Sequence, residues 1–138
     1  MAVADQAVKL LVIRTLPPGA SRPIIPGVLS LTYVQNTGIA FGLLGGLPLI
    51  VTAAAGLTVV FLLLYNGGRW QRDPLSRAAT GLLLGGAVGN LSDRLRLGFV
   101  VDYLDLHRWP VFNLADAAVV AGGTVLLMAL LRQRRGAA

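Results

Sequence analysis

The chain has no cysteine, no glutamate and only one histidine. The missing thiols exclude a disulfide scaffold, a cysteine-ligated metal and a cysteine protease, and one imidazole alone supplies a zinc site poorly. No G-x-S-x-G turn is present to carry a serine nucleophile. Charge is also scarce, at 13% of 138 residues, where an ordinary soluble domain has roughly 25%. What fills the chain instead is apolar: 55% hydrophobic residues, 17 glycines and a mean hydropathy of +0.71. Such a composition fits a small multi-span membrane protein better than a globular core. The net charge of +6 comes from 12 basic residues against six acids. Because no basic face interleaved with aromatics accompanies it, nucleic acid is not an expected partner.

The chain reads as a single membrane-embedded domain over 1–138. Residues 47–65 form an uncharged run of the length a helix needs to cross about 30 Å of hydrocarbon. A second span is expected over 78–96, ending in the polar pair Asp93 and Arg94, and a third over 114–131. Residues 1–16 are apolar but too short, and are interrupted by Lys9 and Arg14, so they read as half a span. Arginines cluster at 69, 72 and 77 and again at 132, 134 and 135. Short basic loops stay on the cytoplasmic side. Segments 17–46 and 97–113 are therefore expected outside, with the C-terminus inside. Gly81, Gly85 and Gly89 share one helical face, and Ala118 with Gly122 repeats the spacing, which suits close helix packing. Leu29 to Val34 alternates as a strand does and runs into Asn36-Thr37-Gly38, so a small outer hairpin is expected. Four prolines, at 17, 18, 23 and 26, make the stretch before it irregular.

All six acids are aspartates, and Asp93, Asp102, Asp105 and Asp116 fall within 24 residues on one side of the membrane. With nucleophile and metal chemistry poorly supplied, carboxylate chemistry remains. Two carboxyl groups at close range share one proton, so that one activates water while the other protonates the substrate. Asp116 can meet an acid of the 93–105 stretch, although spacing does not single out which. Simpler roles fit the same residues. In FNLAD, Asn113 reads equally as a helix N-cap with Asp116 its reciprocating partner. Asp93 with Arg94 suits an interfacial anchor, His107 an interfacial belt and Asn36 a turn. Intramembrane acids also serve proton- or ion-coupled transport subunits, which is the alternative function.

Several stretches closely resemble the lipoprotein signal peptidase family, signal peptidase II. They are NTGIAF (36–41), GGAVGNLSDRLRLGFVVDYLDLH (85–107) and PVFNLADAAVV (110–120), with DQAVK (5–9) similar to the family's Asp-Gln-x-x-Lys. The resemblance implies an all-α bundle of four transmembrane helices with a small outer β-cradle in the bacterial inner membrane. It also implies a membrane aspartic endopeptidase that cleaves diacylglyceryl-modified prolipoproteins before the lipobox cysteine. Carried over residue by residue, the catalytic pair is Asp102 and Asp116, while Asn36, Asn90, Asp93, Arg94, Asn113 and Asp5 line the polar site or contact substrate. Asp105 fits a common family acid without a catalytic assignment. Membrane lipids and globomycin-type inhibitors are the further partners implied, and neither metal nor organic cofactor is expected. Only four residues precede Asp5, where the family's first span begins well upstream, so the first helix is expected to be truncated at its N-terminus. The loop between Asp102 and Asp116 is also shorter than in some members.

Overall fold

The computed structural model describes residues 1–38, 50, 53–54, 56–58, 60–61, 64 and 74–135. Within them run α1 (Ala2–Thr15), β1 (Ser21–Ile25), β2 (Leu29–Asn36), α2 (Pro74–Leu97), β3 (Val100–Asp105) and α3 (Leu114–Arg135). Of the span expected over 47–65, the described residues are helical, and the rest of that expectation lies outside the described residues, as do Arg69 and Arg72.

Local sequence sets the helix ends. α1 stops at Leu16, which is extended at φ −127°, because Pro17 excludes the helical region for the residue before it. α2 starts at Pro74, whose missing N–H costs nothing in a first turn. It closes on Gly98 at φ +81°, whose N–H returns to the Arg94 carbonyl at 3.1 Å. A side chain would be strained in that left-handed cap.

α2 and α3 bury small and polar residues and turn many of their large apolar ones outward. Along α2 the buried positions include Ser76, Ala79, Gly86, Gly89, Asn90 and Asp93, a stripe at helical spacing. Val3, Leu75, Val120 and Leu127 are each more than half exposed. That is the reverse of a water-soluble helix pair and suits helices that meet through small residues in an apolar surrounding. Among the described residues, however, no helix is long and apolar enough to cross a membrane.

Glycine sets the contacts, with one correction to the expected face. A Cβ on Gly86 would strike the Ala115 carbonyl oxygen and Val119 of α3, and one on Gly122 would lie 2.5 Å from the Ala79 carbonyl oxygen. Gly85 and Gly89 face α1, at Met1 and Asp5, whereas Gly81 has nothing within 4 Å. The spacing of four thus brings α1 in at two of its three positions. The α2–α3 closure rests on Gly122, which the spacing includes, together with Gly86, which it does not.

The β structure is larger than the expected hairpin: among the described residues, a three-stranded antiparallel sheet in the order β1-β2-β3. β1 crosses the proline-rich stretch as an exposed edge strand, where Pro23, paired with Ser30, need not donate to a ladder. β3 is the strand sequence patterning missed, because its residues 100–103 are buried consecutively instead of alternating. Val101 and Tyr103 join Tyr33 of β2 with Val12 and Leu16 at the end of α1 in one apolar cluster. After β3 the chain turns back at once. Phe112 bridges Leu104, with the Leu104 N–H donating to the Phe112 carbonyl at 2.7 Å. That return carries Asn113 and the start of α3 alongside Asp102.

Candidate active site

The first turn of α3 leaves backbone N–H groups without helical partners, and each finds an acceptor from a different part of the chain. Leu114 N–H donates to the Tyr103 hydroxyl at 3.2 Å, and Ala115 N–H to Asp5 Oδ1 at 3.1 Å. Asp116 N–H donates to Asn113 Oδ1 at 2.8 Å, and Asn113 N–H returns to Asp116 Oδ2 at 3.2 Å. The capping box that the FNLAD spacing allows is therefore present. It is not an alternative to a functional Asp116, since Asp116 Oδ1 accepts a second bond from Asn90 Nδ2 at 2.6 Å.

Asp102 is 1% exposed. Its Oδ1 accepts from Asn113 Nδ2 at 2.7 Å and its Oδ2 from Asn36 Nδ2 at 2.8 Å. The sheet register explains the second bond. Val34 pairs with Asp102 and Asn36 with Val100, so Asn36 and Asp102 are diagonal neighbours on one face. Burial, together with the nearby charge of Asp116, pushes Asp102 up to about 6, against the pull of the two asparagine amides and of Lys9. A carboxyl group that holds a proton near pH 6 is suited to acid–base work, which ordinary surface aspartates are not.

Three asparagines thus deliver their amides to the two carboxylates, and a donor at each amide oxygen fixes which end points where. Gly38 N–H donates to Asn36 Oδ1 at 2.8 Å, and Asp116 N–H occupies Asn113 Oδ1. Asn90 Oδ1 accepts from Lys9 Nζ at 2.8 Å and from Asn113 Nδ2 at 3.1 Å. Turned the other way, any of the three would oppose donor to donor and acceptor to acceptor, which costs most at the buried Asn90 and Asn113.

A second charged cluster lies directly behind. Lys9, 1% exposed, places its ammonium 2.8 Å from both Asp5 Oδ2 and Asp93 Oδ2. Asp5 Oδ2 has no other partner among the described residues. Asp93 also accepts from Gln6 Nε2 at 2.8 Å and from the Val101 N–H at 3.1 Å, which fixes β3 next to Asp102.

Of the residues singled out in the sequence, Asp102, Asp116, Asn36, Asn90 and Asn113 meet in one hydrogen-bonded group, with Asp5 and Asp93 behind it. Arg94 is not brought to either carboxylate of the pair: its guanidinium donates to the Asn90 carbonyl at 3.4 Å, along its own helix. Asp105 points elsewhere, accepting from Thr32 Oγ1 at 2.9 Å and from the His107 N–H at 2.8 Å. Those bonds hold its carboxyl below the usual carboxylate range. His107, at φ +61°, lies 3.3 Å from Ser30 Oγ, so it ties its loop to β2 instead of serving only as an interfacial ring. Lys9 and Gln6 were not among the expected site residues. The available signal was an Asp-Lys pair four residues apart, hence on one helical face, within an otherwise apolar stretch. Among the described residues no group of acids and histidines could hold a metal ion. An open apolar groove of about 470 Å³ reaches Asp116, lined by Leu106, Trp109, Phe112 and Val120.

The family model described as signal peptidase (SPase) II matches residues 1–132. A lipoprotein signal peptidase of Halothermothrix orenii is 47% identical over 131 residues, covering 95% of this chain and 90% of the relative. Another, of Syntrophomonas wolfei, is also 47% identical, covering 94% and 86%. Among solved structures, a bacterial membrane enzyme determined by the in meso method superposes with a TM-score of 0.88 at 30% identity, covering 94% of this chain and 86% of that one.

Proposed function

We infer the chemistry of this chain from one premise: it belongs to the signal peptidase II family. It is a peptidase that removes signal peptides from prolipoproteins, and relatives of this kind leave the ion-coupled transport alternative without support. The finer reading is an aspartic mechanism, with Asp102 and Asp116 as the pair. The observation that carries it is Asn113, which holds Asp102 Oδ1 by its amide and Asp116 by its backbone and its Oδ1.

In this reading Asp102 carries the shared proton, as its burial and raised pKa suit, and Asp116 is the base. Asp116 takes a proton from water as the water oxygen attacks the scissile carbonyl. Asp102 donates to the carbonyl oxygen, giving a tetrahedral intermediate. Collapse re-forms the carbonyl and breaks the C–N bond. The proton on Asp116 passes to the leaving amine, and a hydroxyl proton of the intermediate returns to the pair. Water is consumed, and an acid and an amine are released.

The remaining proposals follow the family. The substrate is diacylglyceryl-modified and is cut before its modified cysteine. The helices form a four-span bundle in the bacterial inner membrane, with the pair at the outer face, the C-terminus in the cytoplasm, and lipids and globomycin-type inhibitors as further partners. The outward-facing apolar residues of α1, α2 and α3 support that placement. The direct test incubates the detergent-purified chain with a diacylglyceryl-modified precursor and with its unmodified counterpart, and identifies products by mass. Cleavage before the cysteine of the modified form alone is expected. Intact modified precursor would overturn the reading.

A further inference from the structure

We propose that Lys9 is a positioning residue for the carboxylate pair, acting through Asn90; the proposal rests on the aspartic reading above. Lys9 is the chain's one lysine, and it is buried to 1% exposure. Its ammonium lies 2.8 Å from three oxygens, in ion pairs with Asp5 Oδ2 and Asp93 Oδ2 and in a hydrogen bond donated to Asn90 Oδ1. The first two form an ion-pair cluster that would suffice to explain a buried ammonium. The third partner is neutral and belongs to the site.

An ammonium can donate but not accept. By occupying Asn90 Oδ1 it dictates that the other end of the same amide, Nδ2, faces Asp116 Oδ1 at 2.6 Å. Asn113 Nδ2 reaches Asn90 Oδ1 at a longer 3.1 Å while serving Asp102 at 2.7 Å, so it is a shared and weaker determinant of the same orientation. The ion pairs in turn fix the ammonium, since Asp5 is anchored on the Ala115 N–H and Asp93 on the Val101 N–H. Asp5 and Lys9 on α1, Asp93 and Asn90 on α2, and Asp116 on α3 are thereby linked end to end. The position of Asp116 depends on a charge in α1 that touches neither carboxylate of the pair.

Without that ammonium the Asn90 amide can turn, and an oxygen would then oppose Asp116. The expected signature is a fall in kcat with KM little changed, because Lys9 is buried behind the pair and closed off from the surface a substrate would reach. It is also a fall that disappears once Asn90 is gone, since two residues acting through one bond are not additive.

The test is a double-mutant cycle on signal-peptide release in detergent. Lys9→Met is expected to lower kcat about 100-fold in the native sequence but less than about 3-fold in an Asn90→Ala background. Melting and size-exclusion profiles are recorded for each variant. Since Lys9→Met leaves two acids facing one another, the cycle is repeated on Asp5→Asn, which keeps an oxygen for the Ala115 N–H. There, Asp5→Asn/Lys9→Met retains the cluster's net charge. Costs of Lys9 and Asn90 that multiply independently would overturn the proposal. So would failure of both Lys9 variants to fold, which would assign Lys9 to the scaffold alone. Asp102→Asn is assayed in parallel: activity there would sink the aspartic reading itself, whereas an inactive Asp102→Asn beside an additive cycle would sink only the role of Lys9.

Discussion

Asn113 and Asp116 hold one another's backbone: the Asp116 N–H donates to Asn113 Oδ1 at 2.8 Å and the Asn113 N–H to Asp116 Oδ2 at 3.2 Å. A helix cap and a carboxylate of the proposed pair are the same object here, so helix stability and carboxylate placement are coupled. The two can be separated by substitution. Asn113→Ala removes both the cap and the amide that holds Asp102, and should lose about 1 kcal/mol of stability as well as most activity. Asn113→Ser keeps a capping oxygen but has no amide for Asp102. It should melt close to the native chain yet remain nearly inactive, as followed by thermal denaturation and precursor cleavage.

The raised pKa of Asp102 makes a signed prediction for stability. Its carboxyl binds a proton in the folded state up to about pH 6, whereas an unfolded aspartate releases it near 3.9. Folding is therefore favoured by the proton at low pH, and that contribution is lost as pH rises from about 4 to about 6. The difference should be on the order of 2–3 kcal/mol. Asp102→Asn carries no such titration. The stability of the native chain relative to this variant should fall across that window and stay level above it, in melting curves taken from pH 4 to 8.

Asn36 tests which way the proton works. Its amide favours the charged form of Asp102, so Asn36→Ala should raise the Asp102 pKa further. If Asp102 must be protonated for cleavage, the alkaline limb of kcat/KM moves to higher pH in this variant. A limb that moves down, or stays, would contradict the assignment of the proton to Asp102.

Glycine substitutions test the helix contacts apart from the chemistry. Gly86→Ala drives a methyl into the Ala115 carbonyl and Val119 and should cost about 1–3 kcal/mol. Gly81→Ala meets nothing within 4 Å and should be neutral or stabilising by up to about 1 kcal/mol. Paired melting curves in detergent decide both.

The helices and β2 were legible because their signals are local: apolar run length and period two over Leu29 to Val34, although the helix expected over 78–96 starts earlier, at Pro74. β3 was not, since a fully buried strand carries no alternation and Val100 to Asp105 is too short to announce itself. The FNLAD spacing permitted a capping box or a reactive aspartate, and only three-dimensional placement shows that Asp116 does the first while holding Asn90. Lys9 was read as an interruption of an apolar segment, because its partners Asn90 and Asp93 lie more than 80 residues away. Arg94 was carried over with Asp93 from the family resemblance; one step along a helix turns a side chain by about 100°, so its guanidinium lies along its own helix and not against the contacts of Asp93.

The central claim is that Asp102 and Asp116 are jointly required for bond cleavage. Release of signal peptide from a diacylglyceryl-modified precursor should be measured for the native chain, Asp102→Asn, Asp116→Asn and, as a control, Asp105→Asn, whose carboxylate serves Thr32 and His107 instead. The first two variants should remain folded and release no peptide, while Asp105→Asn keeps substantial activity. Full cleavage by either Asp102→Asn or Asp116→Asn would contradict the claim.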